Sequence, residues 1–323
     1  VFKRIVLFYL LIFKVNAAQV DSIDKHCIDM SVAVFQAHQS YLNDGRPDAY
    51  RIDLNKSSTY DGCFFRAVPV RIDRSTTPDY FKDWGELLPV YGKTGLDHSW
   101  TGDQRQETFL GMVGYHPQEN LLIVSFRGTR EYQDWWNNAN FNRRKPEHMD
   151  DRINLHAGYL DVFESSLQSL ARCITELTED LPISIQDDVH VAITGHSLGG
   201  SVAATSIPFM RQRFPFQYMS LRMFGSPKVG GEDYNQWLKD RAVTTKSFMR
   251  ETDLSPANPS SYGLTYLGDT ITLPHYDDPW YLWPKAHDDR KYRRAIYEHL
   301  ELPYDTGPTH DITVKFWGRE YKV

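Results

Sequence analysis

The sequence predicts an α/β fold, a mainly parallel central sheet with helices on both faces. Strand-like apolar runs and amphipathic stretches alternate from about residue 155 to 250, as they do where crossover helices join parallel strands. The β-branched run "VHVAIT" (189–194) feeds directly into "GHSLGG" and a small-residue helix. Composition adds 41% hydrophobic and 24% charged residues over 323 positions, with no repeat or linker, so one large core is affordable.

The elements follow in order. "VFKRIVLFYLLIFKVNAAQV" opens with Lys3 and Arg4, continues with the apolar run Ile5 to Phe13, and reaches small residues at Ala17. It predicts a secretory signal peptide over 1–17 and a single domain over 18–323. The apolar run is too short to span a bilayer, which takes about 20 residues. "DKHCIDMSVAVFQAHQSYLN" predicts an N-terminal helix. Residues 43–105 read as loops with short elements. "FLGMVGY" and "LLIVSF", separated by "HPQEN", predict a hairpin. "AGYLDVFESSLQSLARCITELT" places Leu160, Phe163, Leu167, Leu170, Ile174 and Leu177 on one face of a single helix. "YMSLRMFGS" and "TTKSFMR" read as strands, "EDYNQWLKDRA" and "YRRAIYEHLEL" as helices.

Charge and cysteine usage narrow the function classes. A net charge of −6 without a basic cluster argues against a nucleic-acid partner. In an exported chain, Cys27, Cys63 and Cys173 leave room for one disulfide, with Cys27 to Cys63 the favoured pairing. No CxxC spacing supports a structural zinc site, and no cofactor is implied. "NKS" at Asn55 is a glycosylation acceptor.

The chemistry centres on "GHSLG" at 195–199. In a strand–turn–helix context, G-x-S-x-G is a nucleophile elbow. Small residues flank the apex because side chains there would collide where the helix crosses the strand. Ser197 is thereby offered at the carboxyl edge of the sheet, where such folds bind ligands. A serine hydroxyl attacks only when a histidine, steadied by a carboxylate, takes its proton. The adjacent His196 reads as a packed core residue. Asp253, after the strand "TTKSFMR" and before the loop prolines Pro256 and Pro259, is the best-placed acid. His275, His287, His299 and His310 all follow it. His310 is favoured because a Gly/Pro loop brings a ring over the sheet edge; His299 is the second choice, and His275 and His287 flank what reads as a surface excursion. The oxyanion formed in acyl transfer needs aimed donors: the Leu198 N–H, and Thr129 at the end of "LLIVSFRGT".

Six segments, "FRGT" (126–129), "LHAGYLDVF" (155–163), "ITGHSLGG" (193–200), "FGSPKVG" (224–230), "RETDLSPANP" (250–259) and "THDITVKFWG" (309–318), together resemble the class 3 lipases, the fungal triacylglycerol-lipase family. The resemblance implies an α/β-hydrolase fold without a metal, a Ser197–Asp253–His310 triad, and an oxyanion hole at Thr129 and Leu198. It also implies ester hydrolysis on acylglycerols through an acyl-enzyme. "REYQDWWNNANF" looks like the family's lid, with Trp135, Trp136 and Phe141 meeting a lipid surface transiently. The chain departs from the pattern in "DLSPANP", where the family more often has D-x-V-P-x-x-P. It also lacks H-x-x-Y-F and inserts "YDDPWYLWPKAHDDRKYRRAIYEHLEL" before His310. A phospholipase, a feruloyl-type esterase, a peptidase and an inactive binding protein are the alternatives. The expected destination is extracellular, with a lysosome-like compartment as the other option.

Overall fold

The computed structural model describes residues 20–43, 84, 87–94, 97–98, 102–103, 106–128, 142–147, 149, 153–259, 263–274, 276, 286–304, 313–316 and 319–322. Seven strands lie side by side in chain order: β1 (Leu87–Thr94), β2 (Gln106–His116), β3 (Leu121–Phe126), β4 (His190–His196), β5 (Tyr218–Phe224), β6 (Val243–Arg250) and β7 (Asp269–Leu273). The first three pair antiparallel. From β3 to β7 every pairing is parallel. The expected hairpin is β2–β3, in register from Gly111 opposite Phe126 to His116 opposite Leu121. Its tight return places Asn120 at φ 48, a left-handed conformation that Asn tolerates, and the Tyr115 hydroxyl donates to the Asn120 side chain at 2.8 Å.

Period-two alternation sorts the sheet into two cores. On β3, Leu122, Val124 and Phe126 join the core beneath α2 (Ala157–Glu164), α3 (Leu167–Thr178), α4 (Leu198–Arg213) and α5 (Glu232–Asp240). Leu121 and Ile123 face the other core, covered by α1 (Ser22–Asn43) and α6 (Asp289–His299). This is the α/β-hydrolase architecture, with helices on both faces.

Two expectations are corrected. The stretch 157–178 is not one helix but α2 and α3, broken at Ser165–Ser166. The hydroxyl of Ser165 bonds back to the Val162 carbonyl and that of Ser166 to the Phe163 carbonyl, each at 2.7 Å. Such local bonds compete with helix continuation. The apolar stripe survives the break, with Leu160, Phe163, Leu170 and Ile174 buried and Leu167 and Leu177 packed at the margin. Cys27 is a free thiol, not half of a disulfide; it lies buried on the sheet-facing side of α1, and burial drives its pKa up. Cys63 and Asn55 lie outside the described residues.

Two buried polar arrangements account for features the pattern leaves open. Pro208 inside α4 carries no N–H and so cannot bond the Ala204 carbonyl. The Tyr234 hydroxyl donates to that oxygen instead, at 2.6 Å. On the opposite face, Arg222 of β5 and Lys246 of β6 are buried side chains that meet α1. Arg222 Nε lies 2.5 Å from Asp24, and Lys246 Nζ lies 2.8 Å from both Asp21 and Asp24. Among the described residues no helix is long and apolar enough to cross a membrane.

Candidate active site

Ser197 sits where β4 stops and α4 begins, at φ 58 and ψ −132. A non-glycine residue held there stores about 1–3 kcal/mol. The surroundings enforce the turn. The Ser197 N–H donates to the Phe224 carbonyl of β5 at 2.8 Å. A Cβ on Gly195 would strike the Gly199 backbone, and one on Gly199 would strike the Phe126 carbonyl oxygen. The helix therefore crosses the strand at backbone contact, which only glycine permits.

Asp253 leaves β6 in a tight turn, its N–H on the Arg250 carbonyl at 3.0 Å. Its carboxylate is completely buried and accepts from three donors: the Ser255 N–H at 2.9 Å, the Tyr292 hydroxyl at 2.6 Å and His287 Nδ1 at 2.7 Å. Burial alone would raise its pKa; the His287 imidazole, the Tyr292 hydroxyl and the Ser255 N–H outweigh burial and hold it below the usual carboxylate value.

His287 Nε2 lies 2.7 Å from Ser197 Oγ. With the Nδ1 proton on Asp253, the Nε2 lone pair faces the serine hydroxyl, the tautomer a general base needs. The imidazole joining Ser197 to Asp253 is therefore that of His287, where His310 was expected; His310 lies outside the described residues. Two contacts fix the ring. Arg250, itself buried, donates through Nη1 to the carbonyl of Ala286 at 2.7 Å. On the other side Asp288 caps α6, accepting the Arg290 N–H at 3.0 Å. His287 thus occupies a junction between a clamped backbone and a helix start. The signal in the sequence was "HDDR", an acidic cap after a histidine; reading the helix from Tyr292 concealed it. His299 is the last residue of α6, while His275 is outside the described residues.

His196 is not a silent core residue. Its ring lies against that of His287, centroids 4.5 Å apart, and 5.5 Å from that of Tyr292. Burial first, and the neighbouring His287 second, push its pKa down to about 3. It stays neutral beside the ring that must gain a proton.

Leu198 is the first residue of α4, so its N–H has no intrahelical acceptor. The helix start adds partial positive charge there. Across from it, the chain leaves β3 through Arg127–Gly128, and a Cβ on Gly128 would come 3.2 Å from Ser197 Cβ. Arg127, buried, donates to the carbonyls of Phe109 at 2.6 Å and Gly128 at 3.0 Å, bracing the exit from the strand. Thr129 and the lid aromatics Trp135, Trp136 and Phe141 lie outside the described residues.

Strand order, elbow and hydrogen-bonded Ser–His–Asp line together define a serine-type α/β-hydrolase architecture. Residues 123–262 match the family model Lipase (class 3). The chain is 29% identical over 168 residues to secreted mono- and diacylglycerol lipase 1 of Fusarium solani, covering 51% of this chain and 44% of that one. Over 198 residues it is 25% identical to phospholipase A(1) DAD1, chloroplastic, of Arabidopsis thaliana, covering 56% and 42%. The native Rhizomucor miehei lipase propeptide complex superposes with a TM-score of 0.49 at 18% identity, over 76% of this chain and 67% of that one. The chain spans less than half the length of the two curated relatives.

Proposed function

We propose that the protein hydrolyses carboxylic esters of acylglycerols through an acyl-enzyme, with Ser197, His287 and Asp253 as its triad. One observation carries the reading: a single imidazole bonds both the elbow serine and a buried carboxylate at 2.7 Å. Ser197 attacks the acyl carbonyl while His287 takes its proton and passes it to the leaving alcohol. Asp253 holds the tautomer and stabilises the imidazolium. The Leu198 N–H, with Thr129 as the second donor, receives the oxyanion. Water then cleaves the acyl-enzyme by the same proton path.

Acylglycerols are favoured by the mono- and diacylglycerol lipase relative, and the phospholipase relative supports a phospholipid ester as the second reading. Lipid-surface contact through Trp135, Trp136 and Phe141, export through a leader over 1–17 and a single domain over 18–323 belong to the same proposal.

The test is fluorophosphonate labelling of the purified chain beside hydrolysis of tributyrin, a phosphatidylcholine and a soluble short-chain ester. Ser197→Ala and His287→Ala should each abolish labelling and turnover, while His310→Ala retains both. Loss in His310→Ala with retention in His287→Ala would transfer the base role to His310.

A further inference from the structure

Far from the nucleophile, two histidines and a glutamate converge. His116 ends β2 and pairs with Leu121 at the start of β3. This is the amino-terminal edge of the parallel strands, opposite the edge that carries Ser197. β3 runs six residues between the two edges, on the order of 17–20 Å. His26 comes from the first turns of α1, and Glu119 from the β2–β3 turn. His26 Nε2 lies 3.0 Å from Glu119 Oε1. The rings of His26 and His116 are 5.2 Å apart, and Trp84 meets them at 5.8 Å and 5.3 Å in edge contacts. One donor atom from each of the three residues falls within 4.8 Å of the others.

We propose that His26, His116 and Glu119 bind a zinc-type divalent ion that staples α1 to the β2–β3 hairpin. Two imidazole nitrogens and one carboxylate oxygen form a donor set for zinc and its neighbours, whereas calcium and magnesium prefer oxygen alone. At zinc–ligand lengths near 2.1 Å, neighbouring corners of a tetrahedron lie about 3.4 Å apart. The His26–Glu119 pair already spans 3.0 Å, and no pair, all being within 4.8 Å, has more than about 1.4 Å to close. Glu119 is 40% exposed, so its side chain is free to adjust and a water has access to the fourth position. His26 and His116 are buried at 8% and 6% exposure. Edge contact with Trp84 limits how far either ring can swing. The three ligands come from elements separated by up to 93 positions, which explains why no ligand spacing is visible in the sequence.

The full chain, stripped with a chelator and dialysed, is titrated with zinc sulfate by calorimetry and checked by metal analysis. One equivalent should bind and raise the melting midpoint, and neither calcium nor magnesium should compete. Glu119→Gln, at an exposed position, should weaken binding at least ten-fold, and His116→Asn should remove it. His287→Ala, at the catalytic edge, should bind zinc as the parent does. Absence of stoichiometric uptake, uptake undiminished in Glu119→Gln and His116→Asn, or loss of uptake in His287→Ala each overturns the site.

Discussion

Removing one hydroxyl, in Tyr292→Phe, tests the carboxylate that steadies the candidate base. The ring is buried and the change leaves its packing in place. What is lost is the 2.6 Å bond to Asp253 Oδ2. A hydrogen bond to a charged group contributes about 1.5–3 kcal/mol. Asp253 keeps the Ser255 N–H and His287, so a stability loss of about 2 kcal/mol is expected. If about half is felt in the transition state, kcat/KM falls roughly 5-fold. The sign with pH follows from the lowered pKa of Asp253. Such a group stabilises the fold above its unfolded value, about 3.9, and that contribution is lost as the pH falls through its folded value. The variant has less depression to lose, so its deficit is full near neutrality and shrinks in acid. Urea unfolding at several pH values, beside hydrolysis of a soluble ester, measures both. A deficit constant with pH, with unchanged turnover, would mean the hydroxyl serves packing alone.

Tyr234→Phe leaves the Ala204 carbonyl, already passed over by Pro208, buried without its donor; a loss of about 1–3 kcal/mol in urea is expected. Arg222→Met removes the guanidinium partner of buried Asp24 and leaves it Lys246; a loss of about 1.5–3 kcal/mol, the range for a hydrogen bond to a charged group, is expected in urea unfolding. His156 is held to a pKa of about 4 by burial, below its unfolded value of about 6.5. It therefore stays neutral in the fold while the unfolded chain gains a proton, and stability declines as the pH falls from about 6.5 to 4, by about 3 kcal/mol. His156→Phe, which keeps the stack on Tyr159, should flatten that decline in pH-dependent unfolding.

The sheet and the nucleophile were legible because their signals are local. "VHVAIT" followed by "GHSLGG" encodes strand, turn and helix start within twelve residues, and the small positions answer to backbone collisions that any such crossing makes. Asp253 was legible for a related reason: it closes a strand. The histidine was harder. A ring needs only to reach the serine, and several chain paths accomplish that. His287 is positioned by the Arg250 clamp on Ala286 and by the Asp288 cap, the first of which spans 36 positions. The helix break at Ser165–Ser166 and the free Cys27 escaped for opposite reasons. The first turns on hydroxyl bonds that periodicity ignores, and the second on burial against the sheet that cysteine counting ignores.

That same buried face ties α1 and α6 to the catalytic edge. Asp29 of α1 accepts Arg293 Nε at 2.6 Å and the Tyr297 hydroxyl at 2.9 Å. Both donors lie on α6, the helix that carries Tyr292 and starts two residues after His287. Asp24, one turn earlier on α1, binds Arg222 and Lys246 of the sheet. The first described helix thus grips the sheet with one acid and the helix that follows His287 with another. Charges buried this deeply add little net stability over an apolar core. Their directional bonds instead fix where α6 lies, and a base that must stay within hydrogen-bond reach of a strained serine depends on that placement more than on added stability.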